Sequence, residues 1–127
     1  MGGIATYFWV ALGGGLGSMA RFWMAGWVAE LGFSRFPWGT LLINILGSLV
    51  IGVVAGLTLT PERLNWHPDA RIFLMVGICG GFTTFSAFSL QVVEMIQLGN
   101  PGAALGYVAS SVVLCLGATW TGLLLMR

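Results

Sequence analysis

Three sets of polar side chains stand out in a chain that is otherwise apolar. Thr40, Asn44 and Ser48 recur every four residues, a spacing that puts them on one helix face. Tyr107, Ser111, Cys115 and Thr119 repeat that spacing. Between these two sets, Thr83, Thr84, Ser86 and Ser89 are interleaved with Phe82, Phe85 and Phe88. Ser and Thr hydroxyls commonly bond a carbonyl of their own helix, and small polar residues mediate close helix packing. Asn44 asks for more. An amide held away from water without a partner costs several kcal/mol, so it needs another helix, water or a ligand.

The chemistry on offer favours an anion. Hydroxyls and an amide donate hydrogen bonds, and a phenyl ring has a weakly positive edge. Such groups pointed into a narrow track would attract a small negative ion. Glu30 and Glu94 fall near the ends of apolar runs, and no acid falls in the middle of one. A cation pore or a proton-coupled transporter usually keeps an intramembrane carboxylate.

The elements that must hold these residues follow from composition. Of 127 residues, 57% are hydrophobic and 7% charged, and the mean hydropathy is +0.94. A soluble domain carries roughly 25% charged residues. An ordinary soluble enzyme is excluded, and so is a disordered chain. A net charge of +1 leaves no basic footprint for nucleic acid. The chain reads as an all-α membrane protein and not an enzyme. Cys79 and Cys115 lie in apolar runs and read as packing residues. With His67 the only histidine, a transition-metal site is not expected. The first apolar run is too long, and lacks the basic flank, for a cleavable signal peptide.

A transmembrane helix takes about 20 apolar residues. The sequence predicts a single four-helix transmembrane domain over residues 1–127, with spans at about 4–29, 38–60, 70–98 and 102–126. Gly13 with Gly17, and Gly52 with Gly56, have the GxxxG spacing that lets helices approach closely. Trp38 opens span two as an interfacial anchor, and Pro61 closes it. A polar loop carries Glu62, Arg63, Asn65 and His67. Span three is too long for a straight crossing, and Gly77-Ile78-Cys79-Gly80-Gly81-Phe82-Thr83-Thr84 in its middle predicts a break. Such a break survives only where protein, water or an ion satisfies the freed backbone groups.

Four spans put both termini and the polar loop on one side, with Arg63, Arg71 and Arg127. Arg35 lies on the other, with Arg21 near that end of span one. The bias is too slight to fix an orientation. Charge alone leaves open one orientation or both, and insertion both ways would permit an antiparallel homodimer.

Gly80-Gly81-Phe82-Thr83-Thr84-Phe85-Ser86-Ala87-Phe88-Ser89 resembles the G-G-x-T-T-F-S-T-F-S motif of the Fluc/CrcB fluoride channels. Trp38-Gly39-Thr40-Leu41-Leu42-Ile43-Asn44 is similar to that family's second-helix signature, and Gly13 to Gly17 followed by Arg21 resembles its first helix. The resemblance covers nearly the whole chain. It implies a passive, fluoride-selective channel in the bacterial inner (plasma) membrane that exports fluoride from the cytoplasm and relieves its toxicity. It also implies an antiparallel dual-topology homodimer with two pores. Carried over residue by residue, Phe85 and Phe88 would line each pore, Asn44 would be its amide, and Tyr107 and Ser111 would sit on the polar track of span four. Thr84 and Ser86 join them on the expected fluoride path. Arg21 would be the basic vestibule residue. A structural sodium ion at the dimer interface would be held by the backbone carbonyls of Gly80 and Thr83.

Three positions depart from the family pattern. Ala87 stands where Thr is usual, Cys115 where some members have Ser, and Gln91 where Glu is frequent. The leading alternative is a small dual-topology proton-coupled drug exporter. That mechanism needs a carboxylate in span one, where this chain has Arg21.

Overall fold

The computed structural model describes residues 3–32, 35–59 and 66–126. The end of predicted span two at Thr60 and Pro61 lies outside the described residues, as do Glu62, Arg63, Asn65 and Arg127. The described secondary structure is helical throughout. Helix α1 covers Ile4–Glu30 and α2 covers Trp38–Leu59. A composite third stretch runs through α3 (Pro68–Ile72), a π-helical segment (Phe73–Cys79), α4 (Gly80–Phe82) and α5 (Phe85–Gln97). Helix α6 covers Pro101–Leu125.

Local chemistry sets the helix ends. Pro101 opens α6 at a position where its missing N–H is harmless. Just before it, Gly99 ends the preceding helix at φ +81°, in the left-handed region that favours glycine. Pro68 starts α3, and the His67 side chain accepts the Asp69 N–H at 3.3 Å.

Three stretches, Trp38–Thr58, Pro68–Gln97 and Pro101–Leu125, are long and apolar enough to cross a membrane. At 27 residues, α1 is about 40 Å long at 1.5 Å per residue. Its glycine run and Arg21 dilute its hydropathy, and it is not among the three.

Glycines decide how the helices meet. Helix α1 packs on the π segment and α4, and α2 packs on α6. A Cβ on Gly13 would meet the Phe73 carbonyl oxygen at 2.7 Å and the Gly77 Cα at 2.9 Å. One turn on, Gly17 meets Ile78 and Phe82 in the same way. The close approach expected of the Gly13/Gly17 pair is therefore made, and its partner is the widened turn of the third stretch. On α2, Gly52 lies against the Thr119 backbone of α6, and Gly56 lies against Leu123 and Met126.

The third stretch breaks within the predicted segment, at its threonine end. Gly77, Gly80 and Gly81 stay helical. The backbone turns extended at Thr83 (ψ 159°) and Thr84 (φ −152°, ψ 115°). The glycines serve contact with α1, and the threonine pair makes the break.

Candidate functional site

Helix α5 restarts because Thr84 caps it. The Thr84 hydroxyl accepts the Ala87 N–H at 3.2 Å, satisfying one of the unpaired donors that every helix start exposes. The Ser86 hydroxyl lies 3.3 Å from the same oxygen. The departure at Ala87 costs this cap nothing, since only its backbone takes part. Thr83 turns back and donates its hydroxyl to the Cys79 carbonyl at 2.8 Å.

Asn44 of α2 meets the break. Its Oδ1 accepts the Thr84 N–H at 2.8 Å, and its Nδ2 donates to the Thr84 carbonyl at 3.1 Å. The amide thus stands in for a backbone neighbour at a residue that has lost its helical partners. The partner that Asn44 needs is another helix. One of its two amide protons remains for something else.

A groove of about 450 Å³ opens where α2, the π segment, the break and α6 come together. Asn44, Thr83, Thr84, Phe85, Phe88, Ser111 and Cys115 line it, and among the described residues no acidic side chain does. Ser111 is buried, and its hydroxyl has no hydrogen-bond partner among the described residues. Phe85 is 79% exposed on the open face of the groove. Its ring centre lies 5.4 Å from that of Phe88. The Phe88 ring meets Tyr107 edge-on at 5.1 Å.

Tyr107 is fully buried and ties this groove to a second cavity. Its hydroxyl donates to Gln91 Oε1 at 2.9 Å, and Gln91 Nε2 donates to the Thr40 hydroxyl at 2.9 Å. Thr40 and Gln91 line a cavity of about 390 Å³, together with Arg35, Trp38 and Glu94. The polar stripes of α2 and α6 also touch directly, where Thr119 donates to the Ser48 carbonyl at 3.1 Å.

The expected site residues therefore fall into three groups. Asn44, Thr84, Phe85, Phe88 and Ser111 share one groove, with Ser86 beside Thr84 and Tyr107 behind Phe88. Gly80 and Thr83 line that groove too. Among the described residues, no N–H or O–H bonds the carbonyls of Gly80 and Thr83. Backbone oxygens free of donors, with no carboxylate beside them, suit a hard monovalent cation. Arg21 stands apart. It is partly exposed on α1 and lines neither cavity.

Gln91 is the residue that the reading of stripes passes over. Thr84, Phe88 and Gln91 follow one another at four and three residues, the spacing of one helix face. That periodicity was the available signal.

The model of the family described as CrcB-like protein, Camphor Resistance (CrcB), matches residues 8–123. The chain is 49% identical over 116 residues to a fluoride-specific ion channel FluC of Methylocella silvestris, covering 91% of this chain and 88% of the relative. It is 50% identical to the protein of that name from Rhodospirillum rubrum, covering 92% and 91%. With the one from Opitutus terrae the identity is 47%, covering 94% and 90%. A match of this extent and identity makes the chain a member of the CrcB-like family.

Proposed function

We propose that the chain is a passive fluoride channel of the bacterial plasma membrane, working as an antiparallel dual-topology homodimer, and that it lets fluoride leave the cytoplasm. One observation carries this reading. Ser111 presents a buried, unpartnered hydroxyl to a groove that also holds the spare amide proton of Asn44 and the rings of Phe85 and Phe88. The relatives named fluoride-specific channels add to it.

Each residue has a task that its chemistry suits. Fluoride holds its water strongly, so a pore must replace that water with donors. Asn44 and Ser111 give full hydrogen bonds. Phe85 and Phe88 give weak positive edges that narrow the path without trapping the ion. Tyr107 holds Phe88 from behind. Arg21 raises the local anion concentration at the mouth of the assembled pore. Its charge on α1 is tolerated as a fourth span because α1 lies against the third stretch, and a long Arg side chain reaches the interface.

The open face of the groove is where a second copy docks in this reading. Phe85 is too exposed for an isolated protomer in lipid to define a narrow track. The Gly80 and Thr83 carbonyls would hold a sodium ion at that seam. When bound, the ion supplies positive charge to oxygens that otherwise lack partners. A proton-coupled exporter is disfavoured by α1 itself, whose only carboxylate, Glu30, is its last residue.

The test is efflux from liposomes loaded with fluoride or with chloride, the charge balanced by a potassium ionophore. Fluoride should leave and chloride should stay. Liposomes that hold their fluoride would overturn the proposal. Labelling a C-terminal tag from each face of the cell membrane should find both orientations, and a single orientation would exclude the antiparallel dimer.

A further inference from the structure

The end of α1, the start of α2 and the end of α5 meet around the cavity of about 390 Å³. Thr40, Gln91 and Tyr107 bond one another there. Among the described residues, the charged groups that line the cavity are Arg35 and Glu94. They carry opposite charges and share one space, yet neither forms an ion pair with the other or with any other described residue.

A charge beside a bilayer is stabilised by a counter-charge. Had these two side chains met, each would have neutralised the other. Held apart, they leave a positive and a negative pole in one cavity. The group that complements both carries one charge of each sign.

The surroundings indicate the source of such a group. Three helices have a terminus here, so the cavity lies where the spans leave the membrane. Trp38 lines it and is exposed, as an interfacial tryptophan is. Leu98 lines it too and is 78% exposed, which gives the cavity an apolar lip toward lipid. The Phe36 ring lies 4.7 Å from that of Trp38, and aromatic rings attract an ammonium group. Gly39, in the first turn of α2, also lines the cavity. Its N–H bonds no described residue and lies at the positive end of the helix dipole.

We propose that this cavity binds the head group of a zwitterionic phospholipid of the phosphatidylethanolamine class, with the phosphate on Arg35 and the primary ammonium on Glu94. A guanidinium can hold a phosphate through two parallel hydrogen bonds. A carboxylate accepts the protons of a primary ammonium, and a choline head group has none to give. Phosphatidylglycerol offers the phosphate but brings no cation to Glu94. The acyl chains leave the cavity past Leu98. Lipid binding here is independent of fluoride conduction.

The test is native mass spectrometry of the full-length protein in detergent, with melting temperature measured in parallel. The probes are phosphatidylethanolamine, phosphatidylcholine and phosphatidylglycerol with identical acyl chains. Phosphatidylethanolamine should be retained roughly tenfold better than either of the others, the size expected for one charge-assisted hydrogen bond. It should also raise the melting temperature most. Arg35→Gln should lose the bound lipid. Glu94→Gln should lose the preference and hold phosphatidylethanolamine and phosphatidylglycerol alike.

Soluble glycerophosphoethanolamine has the same head group without chains, and it should compete only at far higher concentration. Competition by it equal to that of the lipid, or displacement of the lipid by inorganic phosphate at the same concentration, would assign the cavity to a soluble phosphate compound and overturn the lipid site. Equal retention of the three lipids by the wild-type protein, or unchanged retention in both variants, would mean that lipid only coats the bundle, and would overturn it as well. The comparison of lipids on the wild-type protein decides the question even where a variant fails to fold.

Discussion

Asn44 and Thr84 are joined by two hydrogen bonds that use the donor and the acceptor of both the side-chain amide and the backbone, at 2.8 and 3.1 Å. This pairing makes a break in a membrane helix tolerable without water. Asn44→Ala would leave the Thr84 N–H and carbonyl unpaired, at a cost of about 2–4 kcal/mol. Asn44→Asp behaves differently. Ionised, it accepts the N–H but turns a negative charge on the carbonyl. Protonated, it can donate to that carbonyl again. Its melting temperature should therefore approach that of wild type as pH falls, while that of Asn44→Ala stays low. Parallel pH profiles for the two variants would show that the pairing does not support the break.

The contact between α1 and the π segment is backbone against backbone. Gly17→Leu has no room, since even a Cβ there would lie 2.8 Å from the Phe82 N. It should destabilise by at least about 3 kcal/mol or abolish folding. Gly15 faces open space. Gly15→Ala should be neutral, or stabilising by up to about 1 kcal/mol, because alanine favours the helix. Unfolding in detergent compares the two, and equal effects would place the α1 contact elsewhere.

Phe85 and Phe88 should separate flux from stability. Phe85 is 79% exposed, so Phe85→Ile should leave the stability of the protomer within about 0.5 kcal/mol. Phe88→Ile loses the edge contact with Tyr107, at about 1 kcal/mol. Both remove a positive ring edge while keeping bulk. Each should cut fluoride flux by roughly tenfold if that edge contributes about 1.4 kcal/mol to the ion in the path. Wild-type flux in both well-folded variants would remove the phenyl edges from the mechanism.

The periodic features of this chain were the legible ones. The stripes Thr40/Asn44/Ser48 and Tyr107/Ser111/Cys115/Thr119 meet across the α2–α6 interface, as a four-residue repeat on two neighbouring helices should. The GxxxG pair in α1 makes its close contact for the reason that the spacing gives. What sequence could not specify depends on which helix lies opposite. The segment from Gly77 to Thr84 was legible as the site of the break, but not which end of it breaks: its glycines Gly77 and Gly81 lie against α1, and the backbone opens at the threonines, where Asn44 can hold Thr84. The residue Gln91 looked like a loss of charge, and only the positions of Thr40 and Tyr107 turn it into a link between two cavities. The π-helical turn has no signature in single residues at all. It accompanies the contact between Gly13 and Gly77, which are far apart in the chain.

The carbonyls at the break lead to the final prediction. The Thr83 hydroxyl already donates to the Cys79 carbonyl at 2.8 Å, whereas the Gly80 and Thr83 carbonyls receive no hydrogen bond among the described residues. If sodium sits there, its ligands are backbone oxygens, and side-chain changes should leave it in place. Thr83→Ala should cost about 1 kcal/mol for the lost hydroxyl bond and keep the dependence on sodium. Gly80→Ala should also keep it, because its new methyl would find only the Met75 carbonyl oxygen, at 3.9 Å. The measurement is fluoride flux and thermal stability in sodium against N-methylglucamine, whose bulk cannot enter a cage of carbonyls. Wild type, Thr83→Ala and Gly80→Ala should all be more active and more stable in sodium, by the same factor. Loss of the sodium effect in Thr83→Ala alone would move the ligand from the carbonyl to the hydroxyl. Equal behaviour of the wild-type protein in the two cations would remove the ion from the break, leaving its support to the Asn44–Thr84 pair, the Thr84 cap and the Thr83 bond to Cys79.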